Sequence, residues 1–138
     1  MTGTRWRTKS QLMDECVFCR IIARLEPADF VEQGVRHVAF KPLHPYAPGH
    51  VLFVPRRHVA DATESFSQTG IIMARAGLYV KDTVKGPANI ITSIGAEATQ
   101  TVFHLHVHVV PRGPEDGLRA SWPWRVRPGE ELGPGEVV

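Results

Sequence analysis

The spacing of hydrophobic and polar positions changes several times along the chain and predicts a mixture of helices and strands. Residues 16–25 have apolar positions at helical spacing, and Pro27 ends this short helix. A longer helix is predicted between a capping-box pair, Asp61 and Glu64, and the Gly-Pro pair at 86–87. Short segments of strand character lie at 30–31, 35–40, 50–54, 89–94 and 102–110. Strands, a long helix and further strands are typical of an α+β fold with an antiparallel meander.

The two ends of the chain lack the periodicity of regular elements. Residues 1–15 are polar and are predicted to form a flexible leader before a single folded domain at 16–112. Residues 113–138 are rich in glycine and proline and are predicted to form an irregular tail. Because Trp122 and Trp124 are large apolar groups, part of this tail is expected to pack on its own domain or on a partner subunit.

Length and charge narrow the classes of function. A chain of 138 residues suits one compact domain. Its formal net charge of +2 is too small to predict binding to nucleic acid or to an anionic membrane, but small anionic ligands remain possible. No apolar run approaches the roughly 18 residues of a membrane span, and the polar start does not resemble a secretory signal. We therefore expect a cytoplasmic protein.

The clearest candidate chemistry lies in the last predicted strand, where histidines alternate with apolar residues. Because successive side chains of a strand point to opposite faces, His104, His106 and His108 are predicted to share one outward face. The opposite face would pack on the long helix through Phe103, Leu105, Val107 and Val109. A row of merely hydrated histidines is one interpretation. Chemistry is the other, because a neutral imidazole can act as a nucleophile or metal ligand near neutral pH, and three protonated neighbours would repel one another.

Three stretches of the sequence form a distinctive series. They are Cys-Val-Phe-Cys-Arg-Ile-Ile at 16–22, Pro-Gly-His-Val-Leu-Phe-Val-Pro-Arg-Arg-His at 48–58, and His-x-His-x-His at 104–108, which follows Gln-Thr-Val-Phe and precedes Pro-Arg. Together, and in this order, they resemble the histidine triad family. The resemblance covers about residues 16–112. It implies an α+β meander of five antiparallel strands with one long helix, usually in a homodimer whose two sheets join.

The resemblance also implies a reaction and assigns residues to it. His106 would attack the α-phosphorus of a nucleotide and form a covalent nucleotidyl intermediate that water then hydrolyses. His108 would contact the phosphate oxygens, while Gln100 and Thr101 would lie near the phosphate and the leaving group. His50 would support the nucleophile from the same pocket. For Gln100, Thr101 and His50, the alternative is an ordinary polar residue in a turn or at a strand start.

A Cys-x-x-Cys pair at 16–19 is a common half of a zinc or redox site. In zinc-containing members of the family, and in the related galactose-phosphate uridylyltransferases, such a pair joins a loop histidine and the first histidine of the triad. Buried free thiols are the alternative. A closed set of four ligands would be structural, because it leaves no open position at which zinc could activate water. The ligands implied here are Cys16, Cys19, His58 and His104.

Three positions depart from the family's pattern. Pro42 stands where members usually carry the Asp or Asn that binds the ribose hydroxyls, and proline cannot supply a carboxylate. Ser93 replaces a residue of an Asn-rich segment but could still bind a phosphate or sugar. Thr99 replaces a glycine, disfavours a left-handed backbone and would reshape the phosphate loop. A nucleoside monophosphate is therefore expected to bind more weakly than in members with the ribose carboxylate.

Three hypotheses for function follow. The first is a nucleotide hydrolase or transferase that cleaves a phosphoramidate or a dinucleoside polyphosphate at the α-phosphorus through His106. The second, suggested by the three departures, is a nucleotide-binding or partner-binding module with little catalysis. The third is a zinc-dependent hydrolase with histidines as ligands of a catalytic metal, which a closed Cys₂His₂ set disfavours.

Overall fold

A computed structural model, which describes residues 8–118, contains one five-stranded antiparallel sheet. The strands are, in chain order, β1 (Asp29–Gln33), β2 (His37–Lys41), β3 (Val51–Pro55), β4 (Ala88–Ile91) and β5 (Val107–Pro111). Their order across the sheet is β1-β2-β3-β5-β4, so the histidine-bearing strand lies between β3 and β4. The α+β fold with five antiparallel strands and one long helix is confirmed.

Two short helices precede the sheet. The leader, for which no regular structure was predicted, contains α1 (Lys9–Glu15) in its described part. Thr8 and Gln11 explain this helix, because each side chain accepts a hydrogen bond from the other residue's main-chain N–H, at 2.8 and 3.1 Å. The tail prediction falls largely outside the described residues, as do Trp122 and Trp124. Among residues 8–118, no helix has both the length and the apolar character needed to cross a bilayer.

The second helix, α2 (Val17–Ile22), is shorter than the predicted 16–25. Arg24 adopts a left-handed backbone with φ of 65°, and the next N–H, that of Leu25, returns to the carbonyl of Arg20 at 2.8 Å. This pattern closes a helix without glycine, so the chain turns before Pro27 is reached. At the other end, the Cys16 Sγ accepts the N–H of Cys19 and caps the helix.

The long helix α3 (Phe66–Tyr79) begins later than predicted and continues into a π-helical turn, Val80–Val84. Its cap is Ser65, whose side chain accepts the N–H of Gln68 at 3.2 Å. Asp61 instead accepts the N–H of Thr63 within the preceding turn. A second capping sequence therefore lies four residues after the one that the pattern favoured.

The strand β5 is shorter than the predicted 102–110, because the chain before it bonds to another segment. Leu105 donates its N–H to the carbonyl of Val59 at 2.7 Å, outside the sheet ladder. Phe103, expected in the core, is 53% exposed, whereas Leu105, Val107 and Val109 are fully buried. The prediction of the apolar face is thus wrong at Phe103.

Two cores lie on opposite faces of the sheet. The helix α3 covers one face through Ile72 and Ala76, which pack with Phe53, Val107 and Val109. The helix α2 covers the other face, where its buried residues pack with Phe40 and Leu52. His108 pairs with Leu52 in the sheet and therefore lies on the α2 side.

Candidate active site

Four side chains that are distant in sequence bring their ligand atoms within 4.8 Å of one another. They are Cys16, Cys19, His58 and His104. The Sγ of Cys16 is 3.4 Å from the Nδ1 of His104, and the Sγ of Cys19 is 3.3 Å from the Nδ1 of His58. The two Nδ1 atoms are 3.1 Å apart. Tetrahedral zinc, with bonds of about 2.3 Å to sulfur and about 2.0 Å to nitrogen, holds its ligand atoms roughly 3.3 to 3.8 Å apart. The cluster therefore fits such an ion.

The protonation of this cluster also suits a cation. Burial raises the pKa of the Cys16 thiol, but hydrogen bonds with His104 and His58 outweigh burial and lower that pKa to about 5. Burial and the neighbouring Cys16 raise the pKa of Cys19 to about 12. A bound cation would deprotonate both thiols. His104 donates its Nε2–H to the carbonyl of Pro55 at 2.8 Å, which leaves its Nδ1 lone pair for the cluster.

His106 has one ring nitrogen engaged and the other available for chemistry. Its Nδ1–H donates to the main-chain carbonyl of His104 at 2.8 Å, so the neutral ring carries its lone pair on Nε2. Burial lowers the pKa of His106, and the hydrogen bond to His104 offsets part of this shift. The ring is therefore neutral at pH 7, and it does not belong to the metal-ligand cluster.

His108 and His50 form a hydrogen-bonded pair whose proton positions follow from the main chain. Tyr46 donates its N–H to the Nδ1 of His50 at 2.9 Å, which leaves the proton of neutral His50 on Nε2. That Nε2–H donates to the Nδ1 of His108 at 3.0 Å, so the proton of His108 is on its own Nε2. The ring of His108 is 5.1 Å from that of His106. His108 thus offers an N–H donor beside a nucleophilic lone pair.

The histidine row is covered rather than outward-facing, which corrects the prediction. His104 is fully buried and His106 is 9% exposed. Phe18 of α2 contacts both rings edge to face, with centroid distances of 5.9 and 5.2 Å. Because the metal-ligand cluster joins α2 to this segment, it also holds Phe18 over His106.

The pKa of His108 leads to a prediction about stability at acid pH. Burial, followed by the charges of His106 and His50, lowers this pKa from 6.5 to about 4. Between these two pH values His108 binds a proton in the unfolded state but not in the folded state. The free energy of unfolding therefore falls as the pH drops from 6.5 towards 4. Between pH 7 and pH 4.5, the free energy of unfolding of the native protein should fall by about 2 kcal/mol more than that of His108→Gln. Denaturant unfolding of both proteins at both pH values measures this, and equal losses would contradict it.

Gln100 is anchored within the protein. Its Oε1 accepts the N–H of Gly95 at 2.8 Å, and its Nε2 donates to the carbonyls of Ala60 and Val102 at 2.8 and 3.1 Å. These bonds hold the loop 95–100 against the segment that precedes α3. Thr101 is exposed directly after Gln100, and Ser93 is half-buried after β4. The structure thus gives Gln100 a positioning contact, and the substrate contacts of all three residues stay predictions.

Thr99 adopts the left-handed backbone that its side chain disfavours, which corrects the expectation for the backbone of this residue. Its φ is 75° and its ψ is 18°. The N–H of Thr99 bonds to the carbonyl of Ala96 at 3.0 Å, and that of Gln100 to Gly95 at 3.1 Å. The anchored Gln100 side chain therefore imposes the turn on a β-branched residue.

Thr99→Gly should stabilise the protein by about 1 kcal/mol, because a left-handed conformation costs an L-residue roughly that amount. Thr101→Gly is the matched control, since Thr101 has no positive φ and glycine there only adds flexibility to the unfolded chain. Chemical denaturation of the two variants measures the difference. Destabilisation by Thr99→Gly as large as that by Thr101→Gly would refute the strain.

Three residues that the sequence analysis did not assign also shape the site. Thr92, directly after β4, donates its hydroxyl to the main-chain carbonyl of His106 at 2.8 Å. Phe18 covers His106, and Tyr46 stacks on the His50–His108 pair. The sequence offered a signal for two of these residues, since Phe18 lies between the two cysteines and Tyr46 lies four residues before His50. Nothing in the sequence points to Thr92. Pro42 follows β2, and its effect on ribose binding stays a prediction.

Comparisons with known proteins identify the family of this chain. A family model described as HIT domain matches residues 24–115. A HIT family hydrolase of Clostridium thermocellum is 35% identical, with a TM-score of 0.66, over 77% of this chain and 96% of that one. A Zn-bound histidine triad family protein of Mycobacterium smegmatis is 32% identical, with a TM-score of 0.68, over 77% of this chain and 81% of that one. The adenylylsulfatase HINT3 of Arabidopsis thaliana is 30% identical over 81% of this chain and 59% of that protein. Because the family model covers more than half of the sequence, including all three histidines of the row, the chain belongs to the HIT domain family.

Proposed function

We propose that the protein is a nucleotide hydrolase or transferase that acts at the α-phosphorus of a nucleoside phosphoramidate or a dinucleoside polyphosphate. One observation carries this proposal: the Nδ1–H of His106 is bound to the carbonyl of His104, so Nε2 presents a lone pair. A neutral imidazole of this tautomer is a competent nucleophile towards phosphorus. The names of two relatives, a hydrolase and an adenylylsulfatase, are consistent with such chemistry.

The reaction proceeds in two displacements. The Nε2 of His106 forms a bond to phosphorus, and the bond from phosphorus to the leaving group breaks with its electron pair. The hydrogen bond from Nδ1 to His104 stabilises the positive charge that develops on the ring. The Nε2–H of His108 donates to a phosphate oxygen, where negative charge accumulates. Water then attacks phosphorus and releases one proton, which balances the proton that the leaving group takes from solvent as it departs. The bond to His106 breaks, its electron pair returns to Nε2, and a monophosphate leaves.

We propose zinc as the ion of the Cys₂His₂ cluster, since two thiolates and two imidazoles in tetrahedral spacing suit zinc above the harder cations. Bound zinc would supply structural stabilisation. A closed set of ligands that excludes His106 argues against a catalytic metal and thus against the third hypothesis.

We also propose a cytoplasmic homodimer that takes a small nucleotide. The strand β4 is at the edge of the sheet and, among the described residues, pairs only with β5. Its free edge offers main-chain groups that could pair with the same strand of a second copy, which would join the two sheets.

The experiment that tests the function is a panel of adenosine and guanosine phosphoramidates and dinucleoside polyphosphates, assayed for release of monophosphate. The proposal expects turnover of at least one class. Binding of nucleotides without turnover of either class would instead favour the binding module. Two features are compatible with that alternative: the side chain of Gln100 is already hydrogen-bonded within the protein, and position 42 is a proline.

A further inference from the structure

Tyr46 places an exposed aromatic ring at the edge of the histidine row. It lies in the loop between β2 and β3 and is 62% exposed. Its ring is 4.9 Å from that of His50, at an angle of 25°, and 6.0 Å from that of His108, at 18°. The tyrosine ring is therefore nearly parallel to both imidazoles.

Both imidazoles lie on the same side of the tyrosine ring. The rings of His50 and His108 are 5.2 Å apart and share a hydrogen bond. If one imidazole lay on each face of Tyr46, their centres would be about twice as far apart. One face of Tyr46 thus rests on the histidine pair, and the high exposure of the residue leaves the other face open to solvent.

Among the described residues, Phe18 also has an aromatic ring in contact with the row, but it cannot offer such a face. Phe18 is 6% exposed, and its ring already contacts Phe40 and His106 edge to face. A flat ligand could stack on Phe18 only after α2 moved. Tyr46 is open without any movement, since its side chain is largely exposed.

We propose that Tyr46 determines specificity by stacking its open face on a planar aromatic group joined to the phosphate at His106 and His108. This inference rests on the proposed function and adds a substrate class, namely phosphates with an aromatic substituent. Stacking on an aromatic platform is favourable and tolerant of the identity of the ring. The substituent is either the nucleobase or an aromatic leaving group, and both present the same chemistry.

The side chain of Tyr46 can be tested separately from its main chain. The bond that sets the proton position of His50 comes from the Tyr46 N–H, which any substitution other than proline retains. Tyr46→Leu removes the aromatic face but keeps apolar bulk, while Tyr46→Phe keeps the face and is the matched control. A purely structural role would affect all ligands alike.

The test compares matched ligands on the native protein, Tyr46→Leu and Tyr46→Phe. Calorimetry with AMP and ribose 5-phosphate probes the base, and KM values for adenosine phosphoramidates of tryptamine and of pentylamine probe the leaving group. In one of the two arms, Tyr46→Leu should reduce the preference for the aromatic ligand by about tenfold, whereas Tyr46→Phe should retain it.

Loss of preference in either arm supports the platform and identifies which group it binds. Equal changes for aromatic and non-aromatic ligands in both arms, or no change, would overturn it. The platform and the proposed reaction can fail separately, because calorimetry measures binding without turnover and a covalent adduct at His106 reports on the reaction. An adduct at His106 without any aromatic preference would refute only the platform. Absence of the adduct would refute the proposed reaction.

Discussion

His106→Ala is expected to lower kcat/KM for a nucleotide phosphoramidate by about 10⁴-fold or more, because removal of a covalent nucleophile typically costs that much. The lone pair on Nε2 is the nucleophile of the first displacement, and His108 cannot replace it, since the neutral His108 ring carries its proton on Nε2 and accepts from His50 on Nδ1. The alanine variant should retain its fold, because the neighbouring Phe18 still packs on Phe40 and His104.

His44→Ala is the matched control for this experiment. His44 is exposed in the loop between β2 and β3, and the proposed mechanism does not use it. Turnover by this control should stay within about twofold of the native value, as expected for an exposed residue outside the chemistry. Unchanged turnover in His106→Ala, measured with the same substrate, would count decisively against the nucleophile.

His58→Ala is expected to remove bound zinc and to lower the free energy of unfolding by about 3 kcal/mol or more. His58 contacts Cys19 and His104 through its Nδ1, so its loss opens the cluster on the side of β3. The helix α2 has only six residues and relies on this cluster and on the core beneath it. Elemental analysis and chemical denaturation measure the two effects.

The same His44→Ala protein serves as the control, and it should keep both its zinc and its stability. A metal chelator should destabilise the native protein but not His58→Ala. If His58→Ala were as stable as the control and neither contained zinc, the cysteines would be buried free thiols, and the cluster would have no metal to hold.

The strict alternation around the three histidines was sufficient to predict which side of β5 carries His108, because a period of two is a local property of the backbone. It was not sufficient to predict where the strand begins. The N–H of Leu105 bonds to Val59, which is 46 residues earlier, and no local pattern encodes that contact. Phe103 is consequently exposed rather than packed under α3.

The metal-ligand cluster and the substrate side of the site differ in how far the sequence could predict them. The spacing of Cys16 and Cys19 indicates a metal site, and the resemblance supplied the two histidines that the structure brings to them. Thr92 acts through one hydrogen bond across the sheet, to the main-chain carbonyl of His106. That contact depends on how separate segments meet, so residue type and spacing alone could not reveal it, whereas Tyr46, which stacks on His50 and His108, lies only four residues before His50.

Thr99 shows the opposite case, in which a correct local rule gave a wrong expectation. The preference of β-branched residues for negative φ is real, but three hydrogen bonds of the Gln100 side chain hold the loop in the turn that a glycine would adopt.

The central claim is that the Nε2 of His106 bonds to phosphorus, and intact-mass spectrometry of the protein, quenched during turnover of a nucleotide phosphoramidate, tests it most directly. The proposed mechanism predicts a mass increase of one nucleotidyl group that maps to His106, disappears in acid and is absent from His106→Ala. Release of monophosphate with no adduct under any quench, or an adduct that persists in His106→Ala, would contradict it.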